Sequence, residues 1–305
     1  IKSIRDNKDD AKSEFDLISK TSNTGLFTND SFKQPKKGLR ILNFLKNKPK
    51  VAILREQGVN GQNEMAAAFT LAGFNAFDVH MQDLLDGNTN LNDFQGMAVC
   101  GGFSYGDVLG AGGGWSRTIL YNNLVKDQFQ EFFNDEKVFT LGVCNGCQML
   151  SNLKDIIPGA EFWPSFERNL SDQFEARLAQ VKISKTESVL LDGMEDWMIP
   201  VASAHGEGRA QFNNNDLQEL EKSNQIAMRF VDSSENSSEI YPINPNGSPN
   251  GITGITASNG RVTIMMPHPE RVFRKVQLSW HRKDWNEYSP WMQIFINAKK
   301  FSDKN

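Results

Sequence analysis

Cys144 is the residue whose surroundings most favour chemistry. It lies in Gly142-Val-Cys-Asn-Gly146, directly after the apolar run Val138–Val143. Glycines on both sides of the cysteine allow a tight strand-to-helix turn, which holds the side chain in a strained conformation. A thiol at such a turn faces the start of the following helix, where the helix dipole and free N–H groups favour a thiolate and a developing oxyanion. The pattern predicts a nucleophile for acyl transfer.

His268 and Glu270 supply the base that such a thiol needs. A cysteine that attacks an amide requires one group to take and return protons, and another group to orient that base. His268 follows the apolar run Thr263–Met266, and ligands of open parallel sheets bind where such strands end. Glu270 is near enough to hold the imidazole by its second nitrogen, and the flanking prolines fix the local path. A lone histidine after a strand would favour a structural role, but beside the Cys144 turn it favours a Cys-His-Glu triad.

A glycine-rich loop follows another apolar run, Met97–Cys100. Its Gly101-Gly102 step lets the backbone approach a ligand closely and present N–H groups, so we expect an oxyanion donor there. The later run Gly110-Ala-Gly-Gly-Gly114 could equally be a phosphate loop. It lacks the Lys-Ser/Thr ending of a Walker motif and the spacing of a Rossmann fingerprint. Nucleotide binding by this chain is therefore not expected.

Cys144 and Cys147 also form a C-x-x-C pair, which can be redox-active or half of a zinc site. A thioredoxin-like pair usually starts a small βαβ unit, and zinc would need further ligands. The four histidines show no ligand spacing among themselves: His80, His205, His268 and His281. We predict no metal and interpret Cys147 as a buried helix residue. Redox and purely structural roles remain the alternatives for Cys144.

The composition of the whole chain is ordinary for a cytosolic protein. Its 305 residues can bury a large core, and a formal net charge of −4 makes nucleic acid an unexpected partner. No apolar run approaches the roughly 18 residues that span a bilayer, and the N-terminus lacks the apolar stretch of a signal peptide. We expect no membrane partner and a cytoplasmic location, and three cysteines without framework spacing agree with a reducing compartment. Because the chain begins with Ile1 rather than Met, we expect it to be either processed or a fragment cut from a longer polypeptide, and we favour the fragment.

Two regions of the chain differ in character. Residues 1–48 are polar, with short apolar clusters at Phe15–Ile18 and Ile41–Phe44, and we interpret them as a connecting segment that packs on something else. Residues 49–305 form the predicted domain. Its first half alternates strands and helices, which favours an α/β fold with a doubly wound, mostly parallel sheet flanked by helices.

The individual elements are predicted from hydrophobic periodicity. Helices are expected over residues 63–72, 115–133, 145–152 and 285–301. Strands are expected at 50–54, 76–79, 97–100 and 138–143 in the first half. Shorter strands are expected at 178–183, 199–202, 226–231, 251–256 and 261–266, with turn clusters between them. Cys144 therefore falls at a strand-to-helix junction.

The glycine loop, the cysteine turn and His-Pro-Glu, in this order, resemble the class I, triad-type glutamine amidotransferases. Longer runs resemble the glutaminase domains of large-type phosphoribosylformylglycinamidine synthases, from about residue 49 to residue 300. These runs are Val51-Ala-Ile-Leu-Arg-Glu-Gln-Gly-Val-Asn-Gly61, Gly101-Gly-Phe-Ser-Tyr-Gly-Asp-Val-Leu109, Arg168-Asn-Leu-Ser171, Ala204-His-Gly-Glu-Gly-Arg209, Tyr241-Pro-Ile-Asn-Pro-Asn-Gly-Ser-Pro-Asn-Gly251, Met266-Pro-His-Pro-Glu-Arg-Val-Phe273, Ser279-Trp-His281 and Ser289-Pro-Trp-Met292.

The resemblance implies a flavodoxin-like fold and a specific reaction. Glutamine would be hydrolysed to glutamate and ammonia, and a synthetase domain of the same polypeptide, which is not part of this sequence, would use the ammonia. With ATP and Mg²⁺, that domain would convert formylglycinamide ribonucleotide to its amidine in purine synthesis, while this chain would need no cofactor. Another class I amidotransferase, a cysteine hydrolase of similar topology and a silent glutamine-sensing domain are the alternatives.

The resemblance also assigns residues. Cys144 would be the nucleophile, His268 the base and Glu270 its orienter. The remaining assignments are an oxyanion hole at Gly102, Phe103 and Asn145, and a glutamine pocket lined by Gln148, His205 and Gly206. Arg168, Asn169 and Ser171 would belong to a domain contact, to the substrate entrance, or simply to a capped loop.

Overall fold

The computed structural model describes residues 7–20, 25–35, 48–213 and 215–305. Its strands are β1 (Lys50–Arg55), β2 (Asn75–His80), β3 (Gly96–Val99), β4 (Phe139–Val143), β5 (Ser165–Glu167), β6 (Glu175–Ile183), β7 (Met198–His205), β8 (Arg209–Gln211), β9 (Ile226–Phe230), β10 (Ile252–Thr256) and β11 (Val262–Met265). Its helices are α1 (Lys8–Ile18), α2 (Gln62–Ala72), α3 (Met81–Leu85), α4 (Gly113–Leu120), α5 (Asn123–Asn134), α6 (Asn145–Ser151), α7 (Asp216–Lys222) and α8 (Met292–Lys304). Short 3₁₀ turns lie at Leu91–Asp93, Ser104–Asp107, Lys154–Ile156, Pro249–Gly251, Pro269–Arg271 and Lys275–Gln277.

Among the described residues, nine strands form one sheet in the order β2-β1-β3-β4-β11-β10-β9-β6-β7. The strands from β2 to β11 in this order pair in parallel, and β10, β9, β6 and β7 continue the sheet in antiparallel pairing. Strands β5 and β8 form a separate antiparallel pair. The predicted α/β fold is confirmed, and the antiparallel strands extend its parallel part.

The neighbouring strands β3, β4 and β11 position the predicted catalytic residues. All residues of these strands are buried, as is typical of parallel strands that helices cover on both faces. Because the strands are adjacent and parallel, their carboxyl ends meet at one edge of the sheet. Gly101, Cys144 and His268 follow those ends, so residues far apart in sequence converge there.

Aromatic packing joins the sheet to the C-terminal helix α8. The ring of Phe69 on α2 stacks on Phe139 of β4 at 5.9 Å between centroids and meets Phe295 of α8 edge-on at 5.0 Å. At the start of α8, the indole Nε1 of Trp291 donates to the Pro200 carbonyl of β7 at 2.8 Å. Helix α8 therefore links the parallel and antiparallel parts of the sheet.

Two helices differ from their predicted bounds. The helix predicted over 115–133 is two helices, α4 and α5, because Asn122 caps α5 and accepts a hydrogen bond from Val125 N at 3.1 Å. The helix predicted over 285–301 begins only at Met292, since the Ser289 hydroxyl accepts from Trp291 N at 3.2 Å and caps the turn before it. Such side-chain bonds compete with helical bonds locally, and periodicity does not register them.

The described part of the N-terminal segment contacts the domain. Asn29 and Met198 exchange two backbone hydrogen bonds of 2.9 Å each, which adds a bridge to the edge strand β7. The side-chain amide of Gln34 donates to the Tyr288 carbonyl at 2.7 Å. Residues 25–35 thus pack on the sheet edge and on the loop before α8.

The structure describes only one of the two apolar clusters in the N-terminal segment. In the cluster Phe15–Ile18 on α1, the side chains of Phe15 and Ile18 are exposed. The cluster Ile41–Phe44 lies outside the described residues. In the part of the chain that the structure describes, no helix has the length and apolar character needed to cross a membrane.

Candidate active site

Cys144 occupies a strained turn between β4 and α6. Its φ of 52° and ψ of −111° are unusual for a residue with a side chain, and it caps α6 without a side-chain hydrogen bond. The flanking glycines are required by close packing, since a Cβ on Gly146 would lie 2.2 Å from the Val99 carbonyl oxygen. The Cys144 N–H donates to Met265 O at 2.9 Å, which anchors the turn to β11. These contacts hold the thiol at the sheet edge, as the sequence predicts.

His268 and Glu270 form a buried pair beside this turn. The Nδ1 of His268 lies 2.6 Å from Oε1 of Glu270, and both side chains are excluded from solvent. The His268 N–H donates to Ala202 O at 2.8 Å, so the backbone of the histidine is fixed against β7. The Nε2 of His268 makes no hydrogen bond to any described residue, which leaves that nitrogen available for a substrate or the thiol.

Gly101 brings the three side chains together. A Cβ at this position would lie 2.7 Å from Cε1 of His268 and 3.1 Å from Cβ of Cys144, so the imidazole and the cysteine meet over this glycine. Gly61, at the start of α2, lies close to the carboxylate, since its Cβ would be 3.5 Å from Oε1 of Glu270. Both glycines leave the room that the Cys-His-Glu arrangement needs.

Electrostatics keep the imidazole charged. Burial by itself lowers the pKa of His268, but the charge of Glu270, followed by that of Cys144, raises this pKa to about 10. A histidine that holds its proton between a carboxylate and a thiol can stabilise a thiolate and later protonate a leaving amine.

The predicted oxyanion residues lie on two elements: Gly102 and Phe103 in the loop after β3, and Asn145 at the start of α6. Gly102 and Phe103 line the cavity beside Cys144. The Phe103 N–H donates to Gly58 O at 2.9 Å, so that amide is engaged within the protein. The Asn145 side chain is buried and accepts from Ser104 N at 3.1 Å, which ties the glycine loop to α6. The backbone N–H groups of Gly102 and Asn145 are the candidates that remain for an oxyanion.

The predicted glutamine pocket is a cavity of about 80 Å³. Gln148, His205 and Gly206 all line it, together with Cys144 and His268. The Gln148 side-chain amide donates to the Glu207 carbonyl and accepts from Asn145 Nδ2 at 2.9 Å, so its position is fixed from both ends. The structure therefore brings these predicted residues around one space.

His205 is buried and held neutral. Burial, and then the charge of His268, lower the pKa of His205 to about 3. The amide nitrogen of Asn246 lies 3.1 Å from Nε2 of His205, and the Ser203 hydroxyl lies 3.4 Å from Nδ1. Since the Asn246 oxygen accepts from Ser248, its nitrogen faces the imidazole as a donor, and His205 carries its proton on Nδ1. His205 shapes the wall of the cavity and is not a second base.

Several cavity residues were not predicted from the sequence. They lie within or near the family-like runs, but no local pattern marks them as site residues: Asn60, Asp107, Phe174, Ala204, Glu207 and Arg271. The Arg271 guanidinium donates to Asn60 Oδ1 at 3.0 Å. Asp107 has a positive φ of 56°, which indicates a strained loop of the kind often found at functional sites. This indication comes from the structure and is not visible in the sequence.

The run Arg168–Ser171 forms an ordered loop beside the cavity. The buried Asn169 side chain donates to His205 O at 2.8 Å and accepts from Gly208 N at 2.9 Å. Ser171 accepts from Gln173 N at 3.4 Å, while Arg168 pairs with Asp172 on the surface. Asn169 therefore joins this loop to the loop that carries His205 and Gly206.

The alternative roles of the cysteines can be compared with the geometry. Cys100, Cys144 and Cys147 are all free thiols. Burial raises the pKa of Cys100 and Cys147 well above the usual range of a thiol, so neither favours a thiolate. Among the described residues, no group of His, Cys, Asp and Glu could hold a metal ion.

Comparison with known proteins identifies the family of the chain. The model of a family described as the CobB/CobQ-like glutamine amidotransferase domain matches residues 48–302. The chain belongs to this family. Among the solved structures that resemble this glutamine amidotransferase domain, PurLQS from Thermotoga maritima has 21% sequence identity and a TM-score of 0.62, and the match covers 84% of this chain and 99% of that chain. That likeness shows a shared fold.

A further solved structure is more distant. It is a glutamine amidotransferase from Thermotoga maritima, with 16% sequence identity to this amidotransferase domain and a TM-score of 0.44. The match covers 74% of this chain and 77% of that chain.

Proposed function

We propose that this amidotransferase domain hydrolyses glutamine with Cys144 as nucleophile, His268 as base and Glu270 as the group that orients the base. The observation that carries the proposal is the buried 2.6 Å pair of His268 and Glu270, whose free Nε2 faces the cavity that Cys144 lines. A structural histidine would have both ring nitrogens bonded within the protein, as His205 has.

The chemistry uses each group in turn. The Cys144 thiolate attacks the carbonyl carbon of the glutamine side-chain amide, and backbone N–H groups at Gly102 and Asn145 stabilise the oxyanion. Protonated His268 gives its proton to the amide nitrogen, the C–N bond breaks, and ammonia leaves a thioester on Cys144. Neutral His268 then takes a proton from water, and the resulting hydroxide attacks the thioester. The C–S bond breaks, glutamate leaves, and the Cys144 thiolate and protonated His268 are restored.

The proposed destination of the ammonia is an ATP-dependent synthetase. Family-like runs such as Val51–Gly61 and Met266–Phe273 support formylglycinamide ribonucleotide as the acceptor, in purine biosynthesis. The likeness to PurLQS over nearly the whole of that chain is consistent with this destination. ATP and Mg²⁺ would act in the synthetase, which we propose to be a domain of the same polypeptide in the cytoplasm, while glutamine binds here.

Glutamate release tests the nucleophile. We expect Cys144→Ala to reduce glutamate formation from glutamine by at least about 1000-fold, because the residual site retains only binding and oxyanion stabilisation. Cys147→Ala is the matched control, since Cys147 is buried in the same C-x-x-C pair, and its rate per folded molecule should stay within about 3-fold of the wild type. Both rates are measured with and without the synthetase.

Each alternative outcome has a definite meaning. Equal rates for the wild type and Cys144→Ala would exclude the nucleophile, and equal losses in the two cysteine variants would favour a redox pair. With the synthetase, ATP, Mg²⁺ and formylglycinamide ribonucleotide, Cys144→Ala should still support amidine synthesis from ammonium chloride but not from glutamine. If the acceptor is not consumed with either nitrogen source, the proposed destination is wrong.

A further inference from the structure

Glu56 is a carboxylate buried outside the active-site cavity. It follows β1, its side chain is 6% exposed, and it does not line the cavity. Its Oε2 accepts from the Tyr105 hydroxyl at 2.7 Å, and its Oε1 accepts from Gln57 N at 2.7 Å. Because burial of an ionised carboxylate is costly without such bonds, any movement of these partners would leave Glu56 uncompensated.

His80, at the end of β2, holds the same carboxylate from another side. Its Nδ1 accepts from Gln82 N at 3.1 Å and so caps α3. An imidazole nitrogen that accepts a hydrogen bond carries no proton, so the ring proton lies on Nε2, 3.4 Å from Glu56 Oε1. The imidazole thus fixes one oxygen of Glu56 and leaves Oε2 to the Tyr105 hydroxyl.

Tyr105 belongs to the loop after β3, which carries the proposed oxyanion donor Gly102. Tyr105, Gly106 and Asp107 have consecutive positive φ values of 54°, 62° and 56°. For the two residues with side chains this conformation is costly, and it persists only where surrounding contacts hold it. Tyr105 N donates to Gln57 O at 2.9 Å, and its hydroxyl adds the bond to the buried carboxylate. This part of the loop is therefore held on the loop after β1.

The contact between the two loops also sets the direction of the Gly102 N–H. The Gly101 carbonyl accepts from Asn60 N at 3.1 Å and from Gly61 N at 3.3 Å. Because the Gly102 N–H belongs to the same planar peptide as that carbonyl, it points away from the loop after β1. Gly102 lines the cavity beside Cys144. The position of the proposed oxyanion donor thus depends on how the loop after β3 lies on the loop after β1.

We infer that Glu56 and Tyr105 are positioning residues for glutamine hydrolysis, because their hydrogen bond holds the loop after β3 where the Gly102 N–H meets the oxyanion. The inference rests on the proposed glutaminase function. Neither Glu56 nor Tyr105 lines the cavity, so loss of their bond should leave the binding of glutamine nearly unchanged. A displaced donor weakens the stabilisation of the oxyanion, which forms only during the reaction, so kcat should fall while KM stays the same.

Steady-state glutamate release by the full chain, with the synthetase present, tests the two residues. Tyr105→Phe removes only the hydroxyl, and we expect it to lower kcat about 20-fold with KM within about 2-fold. Glu56→Leu should give a similar loss. Glu56→Gln should stay within about 3-fold of the wild type, because the Tyr105 hydroxyl can also accept from a side-chain amide.

The matched control is Tyr121→Phe. Tyr121 is exposed at the end of α4, so the same loss of a hydroxyl there should leave both kinetic constants unchanged. If Glu56→Leu does not fold, Tyr105→Phe still decides the question, since it removes a single oxygen.

Alkylation of Cys144 separates positioning from a general loss of structure. Iodoacetamide reacts with the thiolate by displacement of iodide, and no oxyanion forms in that reaction. The alkylation rate of Cys144 should therefore remain within about 2-fold of the wild type in Tyr105→Phe and Glu56→Leu. A distorted cysteine turn would instead slow alkylation and hydrolysis together.

A double variant shows whether the two residues act through one contact. In the Glu56→Leu background, Tyr105→Phe should lower kcat by no more than about 2-fold further. Two losses that multiply would mean that the residues act independently, and the inference would be wrong.

Other results would overturn the inference as well. They are an unchanged kcat in Tyr105→Phe, a loss that appears in KM, a parallel loss of alkylation, and a Glu56→Gln variant as slow as Glu56→Leu. Each of these leaves the proposed function intact. If the wild type releases no glutamate from glutamine, the proposed function fails, and the inference that rests on it fails with it.

Discussion

Glu270 is a fully buried carboxylate whose neighbours are His268 at 2.6 Å and the Arg271 guanidinium at 3.8 Å. An ion of this kind is stable inside a protein only when its partners compensate for lost hydration. The His268 imidazolium does so, which is why its pKa rises to about 10 although burial acts in the opposite direction. At the scale of residues, the pair is one electrostatic unit, and removing either member leaves the other uncompensated.

Glu270→Gln should therefore destabilise the protein in a pH-dependent way. The pKa of His268 is higher in the folded state than its unfolded value of about 6.5, so the pair stabilises fully below about pH 6.5 and loses this contribution as the pH rises through about 10. We expect the variant to lose about 3 kcal/mol of unfolding free energy at about pH 6 and clearly less at about pH 9. Urea unfolding at both pH values measures this.

The control for that experiment is Glu195→Gln, which removes an exposed carboxylate. Its unfolding free energy should change little at either pH. A loss for Glu270→Gln that is the same at both pH values would mean that His268 is not charged in the folded protein.

Helix α6 and strand β3 approach each other more closely than side chains normally allow. Gly146 makes this approach possible, because any Cβ there would overlap the backbone of Val99. The close approach of α6 to β3 matters for the site, because α6 begins at Asn145, directly after Cys144, and its first N–H groups lie beside the cysteine turn. A small shift of α6 would move the cysteine turn and the oxyanion donors together.

Gly146→Ala should for this reason cost about 3 kcal/mol or more, as overpacking against backbone cannot be relieved by a rotamer change. The matched control is Gly113→Ala in the first turn of α4, where the new Cβ would meet only Leu109 Cβ at an ordinary 3.5 Å. That control should be neutral or slightly stabilising, because alanine is the better helix former. Urea midpoints compare the two variants, and equal midpoints would contradict the packing argument.

In the part of the chain that the structure describes, the nine-stranded sheet ends at β7, so this strand forms an edge. The N-terminal segment pairs there, through the exchange of hydrogen bonds between Asn29 and Met198. Uncovered edges of this kind can pair with other molecules, and proteins commonly cover them with a further segment. We therefore expect residues 25–35 to protect this edge of the sheet.

Removal of residues 1–47 tests this protective role. We expect the remaining domain to fold, since its core lies in residues 49–305, but to aggregate at concentrations at which the full chain is monodisperse. Light scattering of the two proteins at matched concentration measures the difference. Identical scattering would show that β7 needs no cover, and the soluble fraction should keep the glutaminase rate of the full chain.

Features of the site that depend on local spacing can be predicted from the amino-acid sequence alone. The glycines around Cys144 and the Pro-His-Pro-Glu run are local requirements of a strained turn and a buried pair, so they could be read before any fold was known. The strands before them could be predicted for the same reason, because fully buried parallel strands are continuous apolar runs.

The residues that complete the cavity are defined by the folding of distant parts of the chain onto each other. Asp107 and Glu207 belong to loops that follow β3 and β7, which lie far apart in sequence and in the sheet order. The antiparallel extension of the sheet and the breaks at Asn122 and Ser289 were also not predicted. These features depend on long-range pairing and single side-chain hydrogen bonds, whereas hydrophobic periodicity reports only which face of each element is buried.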